Sequence, residues 1–320
     1  MPNQMNIAAG IDLGSNSFRL LIAEVKENHL IPLEKKLISV RLAQGLSRGG
    51  NLSDQAMCRA FDALSDFNLL LQKYNISSCR MCGTAALRNA DNAALFISRA
   101  TRITGCELTV LSGEEEALLS YQGAWGFPPG TDDNPRLYID AGGGSTELVL
   151  DSHLDDSPCA ISLNLGAVSV TEEFLLSDPP NPEELKKAAA HITRVLRQGF
   201  RILSFEKQNL TLLASGGTAT ALAALDLELE AYNEKLVQNH FLTSENLQRL
   251  EHRLTRLAAA ERNRLPGLDK NRGEIIIAGL MIYQSIIDFI HAPGIIISDA
   301  GLLEGILLSG LKGDYCCFSR

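Results

Sequence analysis

Residues 11–20, IDLGSNSFRL, return in altered form at residues 139–148, IDAGGGSTEL. A single offset of 128 residues aligns Ile11 with Ile139, Asp12 with Asp140, Gly14 with Gly142, Ser17 with Ser145 and Leu20 with Leu148. A period that long is too large for a solenoid unit and implies duplication of a whole domain. Length agrees, because a chain of 320 residues exceeds the size at which one core keeps growing, so two domains of ordinary size are expected.

Each copy runs from strand-forming residues through an aspartate and a Gly/Ser turn into strand-forming residues again: AAGIDLGSNSFRLLIAEV and RLYIDAGGGSTELVLD. That pattern predicts a β-hairpin with a tight turn of small residues. One such hairpin needs no functional explanation, but two at matched positions do. A turn without bulky side chains presents backbone N–H groups that form a nest for phosphate oxygens. An aspartate at the strand end would repel that phosphate unless a cation intervened, so Asp12 and Asp140 imply Mg²⁺, held directly or through water. A third small-residue loop, LLASGGTATALAAL at 212–225, passes from an apolar strand into an alanine-rich helix. Gly216 and Gly217 allow close backbone approach there, and Thr218 is placed to orient an anion near a helix N-terminus. A strand-to-helix turn that needs glycine for geometry alone is the competing reading. The turn in IIISDAGLLEGIL at 295–307 carries the same ambiguity.

Between these landmarks, helices are expected at 53–73, 92–103, 182–204, 244–259 and 273–290, and short strands at 79–84 and 106–111. The run GFPPGTDDNPR at 126–136 is dense in turn formers and reads as a linker. Mixed strands and helices around two such hairpins imply two α/β domains with a ligand cleft between them. A hydrophobic content of 45% with 21% charged residues describes a chain able to bury a sizeable core. A formal net charge of −9 argues against a general nucleic-acid binder. The start lacks the pattern of a secretory signal, and Gln284 and Asp288 interrupt the most apolar stretch, so a cytoplasmic protein with no membrane partner is expected. The seven scattered cysteines read as reduced thiols. Cys79 and Cys82 form a C-x-x-C, but in a strand their side chains point to opposite faces and read as two packed thiols. Cys316 and Cys317 have the same default.

Residues 112–121, SGEEEALLSY, place three glutamates side by side. Ser112 as N-cap with Glu115 three residues on makes a capping box, and Glu114 is an acid favoured by the macrodipole of the first turn. Glu116 stands beyond reach of the cap and directly before the apolar run. On spacing alone it reads first as a third dipole-stabilised acid and second as a chemical group.

The motifs AAGIDLGSNSFRLLIAEV, GTAALRNADN, LSGEEEALLSYQG, LYIDAGGGSTELVL, ASGGTATALAAL and LPGLDKNRGEIIIAG together resemble the exopolyphosphatase and guanosine pentaphosphate phosphatase family, a branch of the actin-like and sugar-kinase fold. The resemblance runs from about residue 7 to about residue 309. It implies two actin-like, ribonuclease H-like domains, the first from residues 1–126 with 303–320 and the second from 127–302, and a short, two-domain member of the family. By the same resemblance, Glu116 is the base that activates water and Arg88 contacts phosphate beside the reacting centre. Gly14, Ser15, Asn16 and Ser17 cradle phosphates on one side and Gly142, Gly143, Gly144 and Ser145 on the other. Asp140 and Glu147 fall at acidic positions associated with the divalent cation, with Asp12 a third, and Arg272 matches a basic position facing the cleft. Asn89 stands where many relatives carry an acid.

The implied reaction is release of orthophosphate from the end of inorganic polyphosphate, with guanosine pentaphosphate as the other substrate of the family. A basic track for a polyanion would draw on Arg41, Arg48, Lys270 and Arg272, although Arg41 and Arg48 read first as ordinary solvated positions. Domain closure with hinge positions among Gly126–Gly130 is expected, and a homodimer by family analogy. The competing readings are an ATP-dependent small-molecule kinase of the same fold and a non-catalytic sensor of an alarmone or polyphosphate.

Overall fold

The computed structural model describes residues 7–26, 29–46, 50–76, 78–125, 134–152, 157–203, 210–269 and 272–311. Arg48, Lys270, the hinge segment Gly126–Gly130 and the pair Cys316 and Cys317 lie outside the described residues. Along the chain, the first hairpin is β1 (Ile7–Leu13) and β2 (Ser17–Lys26), followed by β3 (His29–Ser39) and helix α1 (Asp54–Lys73). Next come β4 (Cys79–Gly83), α2 (Ala85–Arg88), α3 (Ala93–Thr104), β5 (Leu108–Val110) and α4 (Gly113–Trp125). The second hairpin is β6 (Arg136–Ala141) and β7 (Thr146–Asp151), followed by β8 (Cys159–Leu163), α5 (Ala167–Phe174) and α6 (Pro182–Leu203). Then follow β9 (Thr211–Ser215), α7 (Gly216–Asp226), α8 (Glu234–Val237), β10 (Phe241–Thr243), α9 (Ser244–Leu254) and α10 (Ala259–Arg262). The last elements are α11 (Ile276–Ile290), β11 (Gly294–Ile297) and α12 (Leu302–Leu311).

The chain divides into two compact units, Met1–Gly123 with Gly301–Arg320, and Ala124–Ala300. The sheet of the first unit has the order β3-β2-β1-β4-β5, with the first three strands antiparallel and β1, β4 and β5 parallel. The sheet of the second repeats that order as β8-β7-β6-β9-β11, with β10 added antiparallel at the edge. Both are mixed α/β with the strand order of the ribonuclease H-like, actin-like fold. The repeat in the sequence is therefore a repeat of topology, with β1 and β2 in the role of β6 and β7.

In the first unit β1 is buried along nearly its whole length, which requires cover on both faces. One face packs with α1 and α3 through Leu64, Phe67, Phe96 and Ala100. The other receives α12, whose Leu303 and Leu307 meet Ala8, Leu21 and Ala23. Helix α12 also crosses α4 at very short range. A Cβ on Gly305 would lie 2.0 Å from the Leu119 carbonyl oxygen, and one on Gly123 would lie 1.9 Å from that of Gly301. Only glycine lets the backbones come so close. Helix α1 begins where Ser53 accepts from the Ala56 N–H at 3.2 Å, and α3 stops at Gly105 in the left-handed region with φ 71°.

In the second unit α6 buries Ala188, Ile192, Leu196, Gly199, Phe200 and Leu203, a three-and-four spacing that lays one face on the sheet. The expected helices 244–259 and 273–290 are shorter than their apolar periodicity suggests. The buried Arg262 guanidinium donates to the carbonyls of Leu254, Leu257 and Gly273, and Asn263 Oδ1 accepts from the Gly273 N–H. Those carbonyls and that N–H are satisfied by side chains, so the backbone leaves α9 at Leu254 and enters α11 only at Ile276. Among the described residues no helix is long and apolar enough to cross a membrane.

Candidate active site

The turn of the first hairpin closes with the Gly14 N–H donating to Ser17 O at 3.2 Å, and that of the second with the Gly142 N–H donating to Ser145 O at 2.9 Å. The same hydrogen bond thus closes both turns at the offset found in the sequence. Each turn is then pinned by the segment after the third strand of its sheet. Ala43 N donates to Ser15 O, and Val40 and Arg41 donate to Asn16 O. In the second unit Ala167 N donates to Gly142 O and Val168 N to Gly143 O. Gly166 lets that segment press onto the turn, since a Cβ there would lie 2.3 Å from Gly143 O. Ser15, Asn16, Ser17 and Ser145 are buried, so these are packed turns of fixed shape.

In the first unit Asp12 ends β1 with 6% of its surface exposed, and its Oδ1 has no hydrogen-bond partner. Burial pushes its pKa up to about 6, with Arg19 working against the shift and Glu304 adding to it. Across the sheet β4 runs into Thr84, whose N–H and hydroxyl both donate to Leu13 O, and then into α2, which delivers Arg88. Arg88 Nη1 donates to Leu111 O at 3.0 Å and to Glu116 Oε2 at 2.5 Å. Ser112 and Glu115 form the capping box, with the Ser112 N–H donating to Glu115 Oε2 at 2.8 Å and the Glu115 N–H to Ser112 Oγ at 3.2 Å. Glu114 is left to the helix start, while Glu116, 8% exposed, turns inward to the guanidinium.

In the second unit Asp140 ends β6, opposite Glu147 on β7 and Ser215 on β9. Gly216 has φ +86°, and a Cβ on it would lie 2.2 Å from Asp140 Oδ1, so the carboxylate rests on bare backbone. The space beside Gly217 is filled by the Arg272 guanidinium, with Nη2 2.1 Å from where a Cβ would be. Arg272 is buried and donates through Nε to Asp269 Oδ2 at 3.3 Å. Glu147 is buried, and its Oε1 accepts from Ser162 Oγ at 2.8 Å. The Thr218 hydroxyl donates to Ala141 O at 2.9 Å, which makes it a brace for the hairpin.

The sequence-predicted residues therefore gather in two sets. One comprises Asp12, Gly14–Ser17, Arg88 and Glu116 in the first unit, and the other Asp140, Gly142–Ser145, Glu147, Gly216–Thr218 and Arg272 in the second. Arg41 lies against the first hairpin through its backbone. Several residues that hold these sets were not singled out from sequence. The Tyr283 hydroxyl accepts from Ala141 N and donates to Ser215 O, both at 3.2 Å, at the point where the β6–β9 ladder ends. Tyr138 OH and Ser215 Oγ are 2.5 Å apart beneath it. Burial, with Asp140 nearby, pushes the Tyr283 phenol well above its ordinary value, so it stays a neutral bridging group. Ser162, Gly166 and Glu304 complete the supports.

The acids suit a divalent cation in two respects. Asp12 offers a buried oxygen with no hydrogen-bond partner, and Asp140 and Glu147 form a cross-strand pair of carboxylates beside a phosphate-type turn. Among the described residues no group of three or more His, Cys, Asp or Glu side chains encloses a metal on its own. A hard cation bound at either set of acids would complete its shell with water and substrate oxygens, as Mg²⁺ does at phosphate sites.

The Ppx/GppA phosphatase family matches the chain over residues 21–313, and the chain belongs to that family. It is 31% identical over 314 residues to exopolyphosphatase 2 of Mycobacterium tuberculosis, covering 94% of this chain and 97% of that protein. It is 29% identical over 317 residues to the bifunctional 3-dehydroquinate synthase/phosphatase of Fusobacterium nucleatum, covering 96% of this chain. The chain spans about half of that relative, 47% of its length. The crystal structure of an exopolyphosphatase-like protein superposes with a TM-score of 0.89 at 29% identity, covering 96% of this chain and 99% of that one.

Proposed function

We propose that this chain hydrolyses a terminal phosphoanhydride bond, releasing orthophosphate from inorganic polyphosphate or from guanosine pentaphosphate. The observation that carries this reading is the Glu116–Arg88 ion pair, a nearly buried carboxylate held at 2.5 Å by a guanidinium that α2 delivers from the end of β4. Phosphoryl transfer asks a protein to position the group and to stabilise charge spread over its oxygens. Glu116 aligns a water and takes its proton. Arg88 fixes that carboxylate and lends positive charge to the phosphoryl oxygens. Backbone N–H groups of the hairpin turn in each unit, and of the turn at Gly216–Gly217, offer further phosphate contacts, with Arg272 as the cation of the second unit. The acids that would hold a divalent cation, Mg²⁺ in this proposal, are Asp12 in the first unit and Asp140 with Glu147 in the second, and the cation would neutralise phosphate charge.

Two features support hydrolysis over transfer to a small-molecule acceptor. Glu116 and Arg88 meet at the positions to which the family resemblance gives the water-activating base and the phosphate contact, and the relative that matches almost end to end carries the name exopolyphosphatase. The test is a substrate panel with orthophosphate detection: polyphosphates of several lengths, guanosine pentaphosphate and ATP with sugar or carboxylate acceptors. Orthophosphate from polyphosphate or guanosine pentaphosphate, stopped by EDTA and restored by Mg²⁺, is the expected result. Transfer from ATP to an acceptor, with no release from the other two, would replace the proposal by the kinase reading. Binding without turnover would replace it by the sensor reading.

A further inference from the structure

Helix α6 carries a charge pattern that nothing assigned above uses. From Lys186 to Leu203 the sequence KKAAAHITRVLRQGFRIL has five lysines and arginines and no aspartate or glutamate, in a chain of net charge −9. Ala188, Ile192, Leu196, Phe200 and Leu203 lay one face of the helix on the core. Arg194, Arg197 and Arg201 follow one another at spacings of three and four away from that face, and all three are exposed. They line a groove of about 530 Å³, whose other lining side chains include the short Ala190 and Thr193 and the neutral Gln198. Among the described residues no carboxylate comes within ion-pair distance of Arg194 or Arg197. Arg194 is steadied by a ring instead: its Nη2 lies 3.1 Å from His191 Nδ1, and that imidazole packs against Phe174 with centroids 4.7 Å apart. The helix macrodipole accounts for a cation in the last turn, which is Arg201, but its effect does not extend back to Arg194 and Arg197. Cations three and four apart repel one another, so a face of this kind costs stability unless an anion comes to it.

We propose that this face of α6 is a second binding site for a linear phosphate polyanion, one that holds the body of an inorganic polyphosphate chain. The inference deepens the reading above and rests on it for the identity of the chain. Guanidinium groups suit phosphate oxygens because their planar forks donate two parallel hydrogen bonds. Arg194 and Arg201 are about 10 Å apart along the helix axis, and Lys186 on the same side extends the row to about 22 Å, so a ligand that meets them all carries its charge along a line. Among the described residues that line the groove none is aromatic, so a nucleobase, whether of a nucleic acid or of guanosine pentaphosphate, has nothing to stack on. A chain long enough to reach both α6 and the site of cleavage is tethered, which raises the local concentration of its end without touching the bond that breaks. The α6 site therefore lowers KM for long chains and leaves kcat and short chains unaffected.

The experiment measures equilibrium binding of a long polyphosphate, of tripolyphosphate and of a single-stranded oligonucleotide to the full chain carrying Glu116→Gln, so that the ligand is not consumed. Arg194→Gln with Arg197→Gln is added to that background; both positions are exposed, and Gln forms helix about as well as Arg, so the fold is kept. Arg253→Gln with Arg256→Gln, two exposed cations elsewhere in the second unit, changes the net charge equally and serves as control. At about 0.1 M salt the α6 substitutions are expected to weaken binding of the long chain about tenfold or more, and to lower the slope of log K against log salt by about 1 to 2. Tripolyphosphate binding and the control pair should match the parent. Equal affinity of parent and α6 variant for the long chain, or the same loss in the control, would overturn the site. An oligonucleotide bound more tightly than polyphosphate and released by the same substitutions would overturn the choice of ligand. Turnover with Glu116 intact separates this inference from the reaction: polyphosphate bound at α6 but not cleaved leaves the site standing without the proposed hydrolysis, and cleavage with no dependence on α6 removes the site alone.

Discussion

Glu116→Gln is expected to lower the rate of orthophosphate release about 10²- to 10⁴-fold while leaving substrate affinity nearly unchanged, the loss that removal of a general base produces. Gln keeps the volume of the side chain and an acceptor oxygen for Arg88 Nη1, which now reaches Glu116 Oε2 at 2.5 Å. The capping box lies on Ser112 and Glu115, so the start of α4 is unaffected. Glu115→Gln and Glu114→Gln serve as controls, since Glu115 is engaged in the capping box and Glu114 is an acid of the same first turn, and both should turn over within a few-fold of the parent. Steady-state phosphate release together with equilibrium binding of a non-hydrolysable phosphate chain measures the split. A Glu116→Gln variant with parental kcat would remove the residue from the chemistry and return it to the helix dipole.

Asp12→Asn is expected to flatten the dependence of stability on pH. The Asp12 carboxyl rises from 3.8 in the unfolded chain to about 6 in the folded one. The native state therefore keeps this proton to higher pH than the unfolded state does. The stability associated with the protonated carboxyl is fully present below about pH 4, declines as pH rises through 4 to 6, and is gone above that window. In the absence of a divalent cation the whole span is worth on the order of 3 kcal/mol as an upper bound. Asn carries no titrating proton, so in EDTA the variant should be the more stable protein at pH 7.5 and should show no decline between pH 4 and 6. Mg²⁺ should stabilise the parent at pH 7.5 and the variant much less, because a cation that binds only the native state adds stability through its binding free energy. Urea unfolding at a series of pH values, with EDTA or with Mg²⁺, gives both comparisons. Parallel pH profiles for parent and variant would contradict the buried-carboxyl account, and equal stabilisation of both by Mg²⁺ would remove Asp12 from the cation site.

The parts of the molecule that were readable in sequence are those fixed by local pattern. The hairpins follow from alternating strand formers around Gly14 and Gly142, and the shared turn geometry follows from the offset between them. The capping box at Ser112 and Glu115 is a spacing of three and needs no tertiary information. Glu116 was ambiguous on spacing because its partner comes from another element: Arg88 lies 28 residues away and arrives through β4 and Thr84. The Tyr283 bridge to Ala141 spans 142 residues, and its tyrosine sits in an apolar helix whose periodicity says only that it is buried. Arg262 likewise ends one helix and delays another by collecting carbonyls from three places, which no propensity scale can register.

The reaction itself is tested most directly by the origin of one oxygen atom. Turnover of polyphosphate in water enriched in oxygen-18, with the released orthophosphate analysed by mass, reports where the nucleophile attacks. If the Glu116 carboxylate directs water at the terminal phosphorus, each orthophosphate released carries one solvent oxygen and the shortened chain carries none. Orthophosphate without the label, or label appearing in the remaining chain, would mean that water does not attack the terminal group.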